Sequence, residues 1–288
     1  MKKVSIGYWH LCTDKLAGML LFRDEADYRM GMNLIPVCLR QLGLTEYCHA
    51  LMSDHLHILV GGTYEQVKRL FELIKSRLGR YLAWKYGSPR LLRNWDCEIF
   101  PVPDVTAFRN EVAYILRNEY AAGVNAPLHS RWNTGQLYFN PMLAAIRGTK
   151  VGELADKKLF ALLKTKARLP AEYEIHEGMI LPKCYVHYKK VEELFGTSID
   201  FFNGLKDWNR ERTVESSHDG KSYSAYSDLQ LGKFLQEELA DLRVDSVKEL
   251  NSTGMRQLIH LLHRKYGAGV NQIQRFTGAD LDTILRFR

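Results

Sequence analysis

The first 125 residues alternate between short apolar runs and longer stretches whose apolar residues recur at helical spacing. Runs of about six to nine apolar or alternating residues, bounded by Gly, Pro or Asp, are typical of strands. Apolar residues three and four positions apart are typical of amphipathic helices. The predicted strands are 4–11, 44–52, 55–62 and 95–103, and the predicted helices are 23–42, 64–86 and 105–122.

This order is strand, helix, two strands, helix and strand, followed by one more helix. It matches a ferredoxin-like split βαβ unit, which belongs to the α+β class. The expected architecture is an antiparallel sheet with helices on one face. Because such folds carry many unrelated activities, the order alone assigns no function.

The pattern loosens after residue 130 and becomes helical again near the end of the chain. Short helices and turns are predicted first, followed by a polar stretch at 216–228 that is typical of a linker. Of the final helices, the last two are separated by Thr277 and Gly278 and have the proportions of a helix-turn-helix. A helical bundle for packing or dimerisation is the alternative. The expected division is 1–130, 131–228 and 229–288.

Composition excludes several classes of protein. The chain has 288 residues, of which 46% are hydrophobic and 25% charged, as in ordinary globular proteins. No apolar run is long enough to span a membrane, and the first residues do not read as a signal peptide. The five cysteines are scattered without a CxxC pair, which favours a reducing, cytoplasmic location over a disulfide scaffold.

The net charge of +7 is concentrated in one segment. Between residues 64 and 94 there are eight basic residues and two acidic ones. Such a segment either binds the phosphates of a nucleic acid or forms a solvated helix face. The residues we expect to contact a DNA backbone are Lys68, Arg69, Lys75, Arg77 and Arg80.

Two short motifs could carry chemistry. His55 and His57 lie two positions apart in a predicted strand, so both side chains point to one face and could share a metal ion with a third ligand. Tyr114 and Asn118 lie four positions apart in a predicted helix and also share a face. Each pair alone is more often structural: hydrogen-bonded histidines, a core tyrosine and a helix-end asparagine.

Together the two motifs resemble a known family. MSDHLHILV (52–60) is similar to the MPNHVHLLV of the HUH single-tyrosine transposases, and VAYILRNEYAAGV (112–124) is similar to their YIHLNPVRAGL. The nearest subgroup is the REP-associated tyrosine transposases. The resemblance extends over about residues 4–125 and also includes the basic second helix.

The resemblance implies the HUH nuclease fold and assigns roles to the motif residues. His55, His57 and Asn118 would hold Mg²⁺ or Mn²⁺, and Tyr114 would be the nucleophile that attacks single-stranded or hairpin DNA. Asp54 and Glu119 depart from the family pattern, where Asn and Pro stand. Both add negative charge close to where a phosphate must bind, so we expect them to lower the activity that the motif match implies and to favour a protein that binds DNA without cleaving it.

Three functions remain open from the sequence. The first is DNA nicking and joining through a 5′-phosphotyrosine. The second is a domesticated DNA-binding protein that does not cleave, and the third is a metal hydrolase acting on small molecules. The expected partners are DNA, a second copy of the chain as a homodimer, and no membrane. If the tail is a helix-turn-helix, it would bind flanking duplex through Gln274, Arg275 and Thr283.

Overall fold

The computed structural model describes residues 6–13, 20–87, 90–121, 128, 130–205, 228–266 and 268–287. Its first part contains all seven predicted elements, with ends within about three residues of those expected. These are the strands β1 (Gly7–Thr13), β2 (Thr45–Leu51), β3 (Leu56–Gly62) and β4 (Cys97–Val102), and the helices α1 (Glu25–Leu42), α2 (Tyr64–Tyr86) and α3 (Val105–Ala121).

The four strands form one antiparallel sheet in the order β2-β3-β1-β4. Strand β3 therefore lies between β1 and β2, the two strands that α1 connects, as expected for a split βαβ unit. Local signals explain the helix ends. Thr63 and Gln66 form a reciprocal capping box at the start of α2, and Gly87 ends it in a left-handed conformation with a φ of 63°.

Both faces of the sheet are covered. Helices α1 and α2 pack on one face against Leu11, Ile58 and Val60, as predicted. Helix α3 packs on the opposite face, where Leu59 and Val102 join its core. The expectation of helices on one face therefore holds for α1 and α2 only, because the central strands are apolar on both sides and need a second cover.

The region after α3 extends this unit. Residues 132–134 run along the edge of β2, where the Leu51 amide donates to the Trp132 carbonyl at 3.0 Å. The helix that carries Val191 and Phe195 packs against α3, and Phe201 joins the same apolar core. The elements are α4 (Pro141–Ala145), β5 (Thr149–Lys150), α5 (Asp156–Leu163), β6 (Glu174–His176), β7 (Met179–Ile180), α6 (Tyr188–Phe195) and the helical residues 198–205, named α7.

A buried asparagine holds the second, three-stranded sheet of β5, β6 and β7 against α1. Asn33 is 1% exposed, and its side-chain amide donates to the Gly178 carbonyl at 2.9 Å. Its side-chain oxygen accepts from the Ile180 amide at 2.9 Å. The side chain of this buried polar residue is therefore satisfied by backbone groups of the β6–β7 turn and of β7.

The tail forms a helical unit with its own apolar core. Leu258, Ile259, Leu262, Ile273 and Ile284 are all fully buried there. Most of the polar stretch at 216–228, the predicted linker, lies outside the described residues. Within the part of the chain that the structure describes, no helix is both long and apolar enough to cross a bilayer. The tail helices are α8 (Asp228–Asp241), α9 (Ser252–Arg264), α10 (Val270–Thr277) and α11 (Leu281–Phe287).

A buried carboxylate joins α1 to α2. Asp27 is fully buried and accepts hydrogen bonds from the Tyr81 hydroxyl at 3.0 Å, the Tyr86 hydroxyl at 2.7 Å and the Lys85 ammonium at 2.7 Å. Burial by itself would lower the pKa of Lys85, but its bonds to Asp24 and Asp27 outweigh this and raise the pKa above the ordinary value. The ammonium therefore stays charged beside the buried carboxylate.

Replacing Asp27 with alanine should lower the free energy of unfolding by about 3 kcal/mol, because two phenols lose their charged acceptor and Lys85 keeps only Asp24. Urea denaturation followed by circular dichroism measures this. The control is Glu25→Ala on the same helix, whose ion pair with Arg29 is exposed and should contribute less than about 1 kcal/mol. If Asp27→Ala lowers the free energy of unfolding as little as the control does, the buried carboxylate does not stabilise the contact between α1 and α2.

Candidate functional site

The pairing of β1 with β3 brings histidines and a cysteine to the face of the sheet that α3 covers. Cys12 lies opposite His57 in the antiparallel register, and His10 lies opposite Leu59. Residues two positions apart share a face, so His10 and Cys12 point the same way as His57. His55 directly precedes β3, and its ring centroid lies 4.9 Å from that of His57.

A chain of contacts fixes the orientation of His57. Its Nδ1 lies 3.0 Å from the Nε2 of His10. The Nδ1 of His10 in turn lies 2.9 Å from a carboxylate oxygen of Glu111, a close charge contact without ideal hydrogen-bond direction. We assign the proton of His10 to Nδ1, beside the carboxylate, so that its Nε2 accepts from His57 Nδ1–H. His57 then carries its lone pair on Nε2, the tautomer of a metal ligand.

Asp54 fixes the orientation and the tautomer of His55 in the same way. Its carboxylate lies 2.6 Å from His55 Nδ1, and both residues are buried, at 2% and 6% exposure. The carboxylate thus accepts from Nδ1–H and leaves the lone pair of His55 on Nε2. The carboxylate of Asp54 is therefore buried and hydrogen-bonded to a neutral imidazole, and its effect on a bound phosphate stays a prediction.

Tyr114 of α3 lies over these histidines. Its ring centroid is 5.6 Å from that of His57 and 5.7 Å from that of His10, with the rings edge to face. The side-chain amide of Asn118 donates to the Tyr114 carbonyl at 2.9 Å, so its hydrogen bond is made within α3 and not to a histidine. The fold therefore brings the two sequence motifs together through the contact between the rings of Tyr114 and His57.

Cys12 is a site residue that the sequence analysis missed. The ligating atoms of His10, Cys12 and His57 all lie within 4.8 Å of one another. Two imidazoles and a thiol are a soft donor set that suits Zn²⁺ better than Mg²⁺. The sequence signal was HLC at 10–12, in which His10 and Cys12 share a face of β1. This pattern indicates a metal site only after β1 is known to pair with β3.

Two donor sets therefore share His57. The set implied by the family resemblance is His55, His57 and Asn118, which offers two imidazole nitrogens and an amide oxygen and for which the resemblance implies Mn²⁺ or Mg²⁺. The other set is His10, Cys12 and His57. The orientation of His55 by Asp54 favours the first set, whereas the proximity of the ligating atoms to one another favours the second. The second set requires a different tautomer, because the protons assigned above leave His10 without a free lone pair.

A buried cation completes the surroundings of Tyr114. Arg117 is 3% exposed, and its guanidinium carbon lies 5.7 Å from the centre of the Tyr114 ring. A guanidinium at this distance from the ring centre makes a cation–π contact with Tyr114. Arg117 was not among the residues singled out in the sequence.

The five basic residues expected to contact DNA lie on α2, on the face of the sheet opposite to Tyr114. Three of them, Lys68, Arg69 and Arg80, are exposed. The other two make contacts within the protein: Lys75 donates to the Trp95 carbonyl, and Arg77 donates to the side chains of Gln41 and Thr165.

The tail residues expected to contact duplex DNA differ in their availability. Gln274 is exposed and Arg275 is half-buried. The amide and hydroxyl of Thr283 both bind the carboxylate of Asp280 at 2.8 Å, which caps the start of α11. The Thr283 hydroxyl therefore already has a structural role.

No protein-family model and no curated protein matches the chain. Among solved structures, the chain is similar to one described as the REP associates tyrosine transposase bound to a REP hairpin. The alignment covers 59% of this chain and 93% of that chain, with 14% sequence identity and a TM-score of 0.36. The similarity is a distant one.

Proposed function

We propose that the chain is a metal-dependent enzyme that nicks and rejoins single-stranded or hairpin DNA, with Tyr114 as the nucleophile. The observation that carries this proposal is the position of the Tyr114 ring, 5.6 Å from the ring of His57 on the face of the sheet that α3 covers. The HUH-like spacing of the two motifs supports it from the sequence. The alternative is a DNA-binding protein that uses the same fold without cleaving.

The proposed reaction is a transesterification. The Tyr114 oxygen attacks the phosphorus of the scissile phosphodiester, the bond from phosphorus to the 3′ oxygen breaks, and that oxygen takes up the proton of the phenol. The products are a 5′-phosphotyrosine and a free 3′-hydroxyl. Because a phosphodiester is exchanged for a phosphodiester, the reverse attack by a 3′-hydroxyl rejoins DNA without another energy source.

Residues around Tyr114 prepare this attack. Arg117 holds the Tyr114 ring through a cation–π contact, and the contact between His10 and Glu111 holds His57 in the ligand tautomer. The proposed ligands of Mg²⁺ or Mn²⁺ are His55, His57 and Asn118. When bound, the ion would act as a Lewis acid on a non-bridging oxygen and offset the charge that develops on the phosphate.

The proposal is tested with a pool of labelled hairpin oligonucleotides that carry randomised single-stranded flanks. Incubation with the full chain and Mn²⁺ should give a labelled band that resists denaturing electrophoresis, since the phosphotyrosine bond is covalent. Adding EDTA before the DNA should remove the band. DNA binding without any band, across Mg²⁺, Mn²⁺ and Zn²⁺, would contradict the proposal and support the DNA-binding protein that does not cleave.

The tail is proposed to recognise duplex beside the cleavage site. Its core is built from its own helices, with Leu20 as a contact from the first part of the chain. Deleting residues 229–288 should therefore leave adduct formation on short hairpins intact while weakening binding to hairpins with duplex flanks by about 10-fold or more. Fluorescence anisotropy measures the affinity. Unchanged affinity, with a dimer becoming a monomer in light scattering, would make the tail an assembly element.

A further inference from the structure

A basic cavity lies on the face of the protein opposite to Tyr114. It has a volume of about 640 Å³ and is formed by the end of α1, the middle of α2 and the loop after α5. Four cations and no carboxylate line it: Arg40, Arg77, Lys166 and Arg168. In the described part of the chain, none of these four forms an ion pair. Four cations that are not neutralised around one cavity favour an anionic ligand.

Arg77 is held rigidly at the wall of this cavity. One guanidinium nitrogen donates to the Thr165 hydroxyl and another donates to the Gln41 side chain at 2.8 Å. Its remaining nitrogen, Nε, is buried and has no hydrogen-bond partner among the described residues. The two bonds hold the guanidinium in place, so its charge is available to an anion in the cavity without the ordering of a free side chain.

An exposed aromatic side chain adjoins the cavity. Trp84 is 71% exposed, and it shares one stripe of α2 with Arg77 and Arg80 because the spacing is three and four residues. The ammonium of Lys164 lies 4.8 Å from the centre of a Trp84 ring, so the tryptophan is beside the loop that carries Lys166. A flat exposed indole next to cations is the combination that binds single strands, since the base stacks while the phosphates pair with the cations.

We propose that this surface is a second nucleic-acid site, in which the basic cavity binds backbone phosphates of single-stranded DNA and Trp84 stacks on an unpaired base. The site is separate from Tyr114 because α2 and α3 cover opposite faces of the sheet. It extends the proposed function by naming where the chain holds a strand away from the cleavage site. Its binding needs no metal and no phosphotyrosine.

The first test changes the charge of the cavity. In the full chain with EDTA, the double variant Lys166→Glu with Arg168→Glu should bind labelled oligo(dT) at least about 10-fold more weakly. The slope of log affinity against log salt should also fall by about 0.7 per lost phosphate contact. Both residues are exposed, so the fold should be retained, which thermal melting checks. The control is Lys157→Glu, an exposed lysine of α5 outside the cavity.

The second test concerns the base. Trp84→Ala should weaken oligo(dT) binding by about 5- to 150-fold with an unchanged salt slope, because stacking involves no counterion release. The control is Phe202→Ala, another exposed aromatic residue at 48% exposure. Adding inorganic phosphate at constant ionic strength should not displace the oligonucleotide from the unchanged chain.

Two outcomes would overturn the inference. If the charge variant has the affinity and salt slope of Lys157→Glu, the cavity does not bind DNA. If Trp84→Ala binds like the unchanged chain and inorganic phosphate competes fully, the cavity is a site for small anions and not for a strand. Neither outcome depends on whether Tyr114 forms an adduct, so failure of this inference and failure of the proposed enzymatic function are distinguishable.

Discussion

Replacing Tyr114 with phenylalanine is expected to abolish the covalent protein–DNA adduct while leaving DNA binding within about twofold. Removing the nucleophile of a covalent mechanism typically costs about 10⁴-fold or more in rate, since the remaining groups cannot replace it. The substitution removes one oxygen and keeps the ring that packs against His10 and His57. Denaturing electrophoresis measures the adduct, and fluorescence anisotropy measures binding in EDTA.

The matched control is Tyr64→Phe, which removes a phenol oxygen from an exposed tyrosine of α2 on the other face of the sheet. This variant should form the adduct at the normal rate. If Tyr114→Phe still forms an adduct, the nucleophile is a different tyrosine, and mapping the labelled peptide would identify it. If both variants lose the adduct, the effect comes from the fold and not from the nucleophile.

Replacing His57 with alanine should have the second largest effect, because both donor sets include this residue. We expect adduct formation to fall by at least about 100-fold, since the loss of one ligand from three leaves a divalent ion weakly bound. Isothermal titration with Mn²⁺ and with Zn²⁺ measures the metal affinity directly. Binding of DNA in EDTA should remain, and a normal adduct rate in Mn²⁺ would contradict the metal site.

Two further variants then separate the donor sets. If His55, His57 and Asn118 hold the ion, Asn118→Ala should lower Mn²⁺ affinity and adduct formation while Cys12→Ala changes neither. If His10, Cys12 and His57 hold the ion, Cys12→Ala should instead remove tight Zn²⁺ binding, because the thiolate is the ligand that zinc prefers. The pair of variants gives opposite results for the two sets.

The elements of the fold follow from local signals, which explains why the sequence predicts them well. Helix α2 begins and ends where expected because Thr63, Gln66 and Gly87 form its caps without help from distant residues. The shared face of His55 and His57 follows equally from the alternation of side chains along extended backbone. Within α3, the shared face of Tyr114 and Asn118 follows from helical spacing.

Pairing between strands and the choice of a sheet face depend on residues far apart in the chain, and here the sequence alone was insufficient. Cys12 joins the site only because β1 pairs with β3 in a register that places it opposite His57. Glu111 reaches His10 only because α3 crosses that face. No local pattern records such register or crossing, since both are set by the summed burial of many apolar side chains.

Contacts between distant segments also explain why the sequence did not predict the cavity beside α2 or the hydrogen-bond partners of Asn33. Composition and helical spacing identify the basic face of α2, whereas packing of α1, α2 and the loop after α5 turns part of it into a cavity around Arg77. Asn33 is a polar residue among the apolar residues of α1, and its hydrogen-bond partners, Gly178 and Ile180, lie more than 140 residues away in the sequence. The sequence thus determined the elements and motifs of this protein, and long-range packing determined which of their side chains meet, because contact between distant segments is a property of the whole core and not of any one segment.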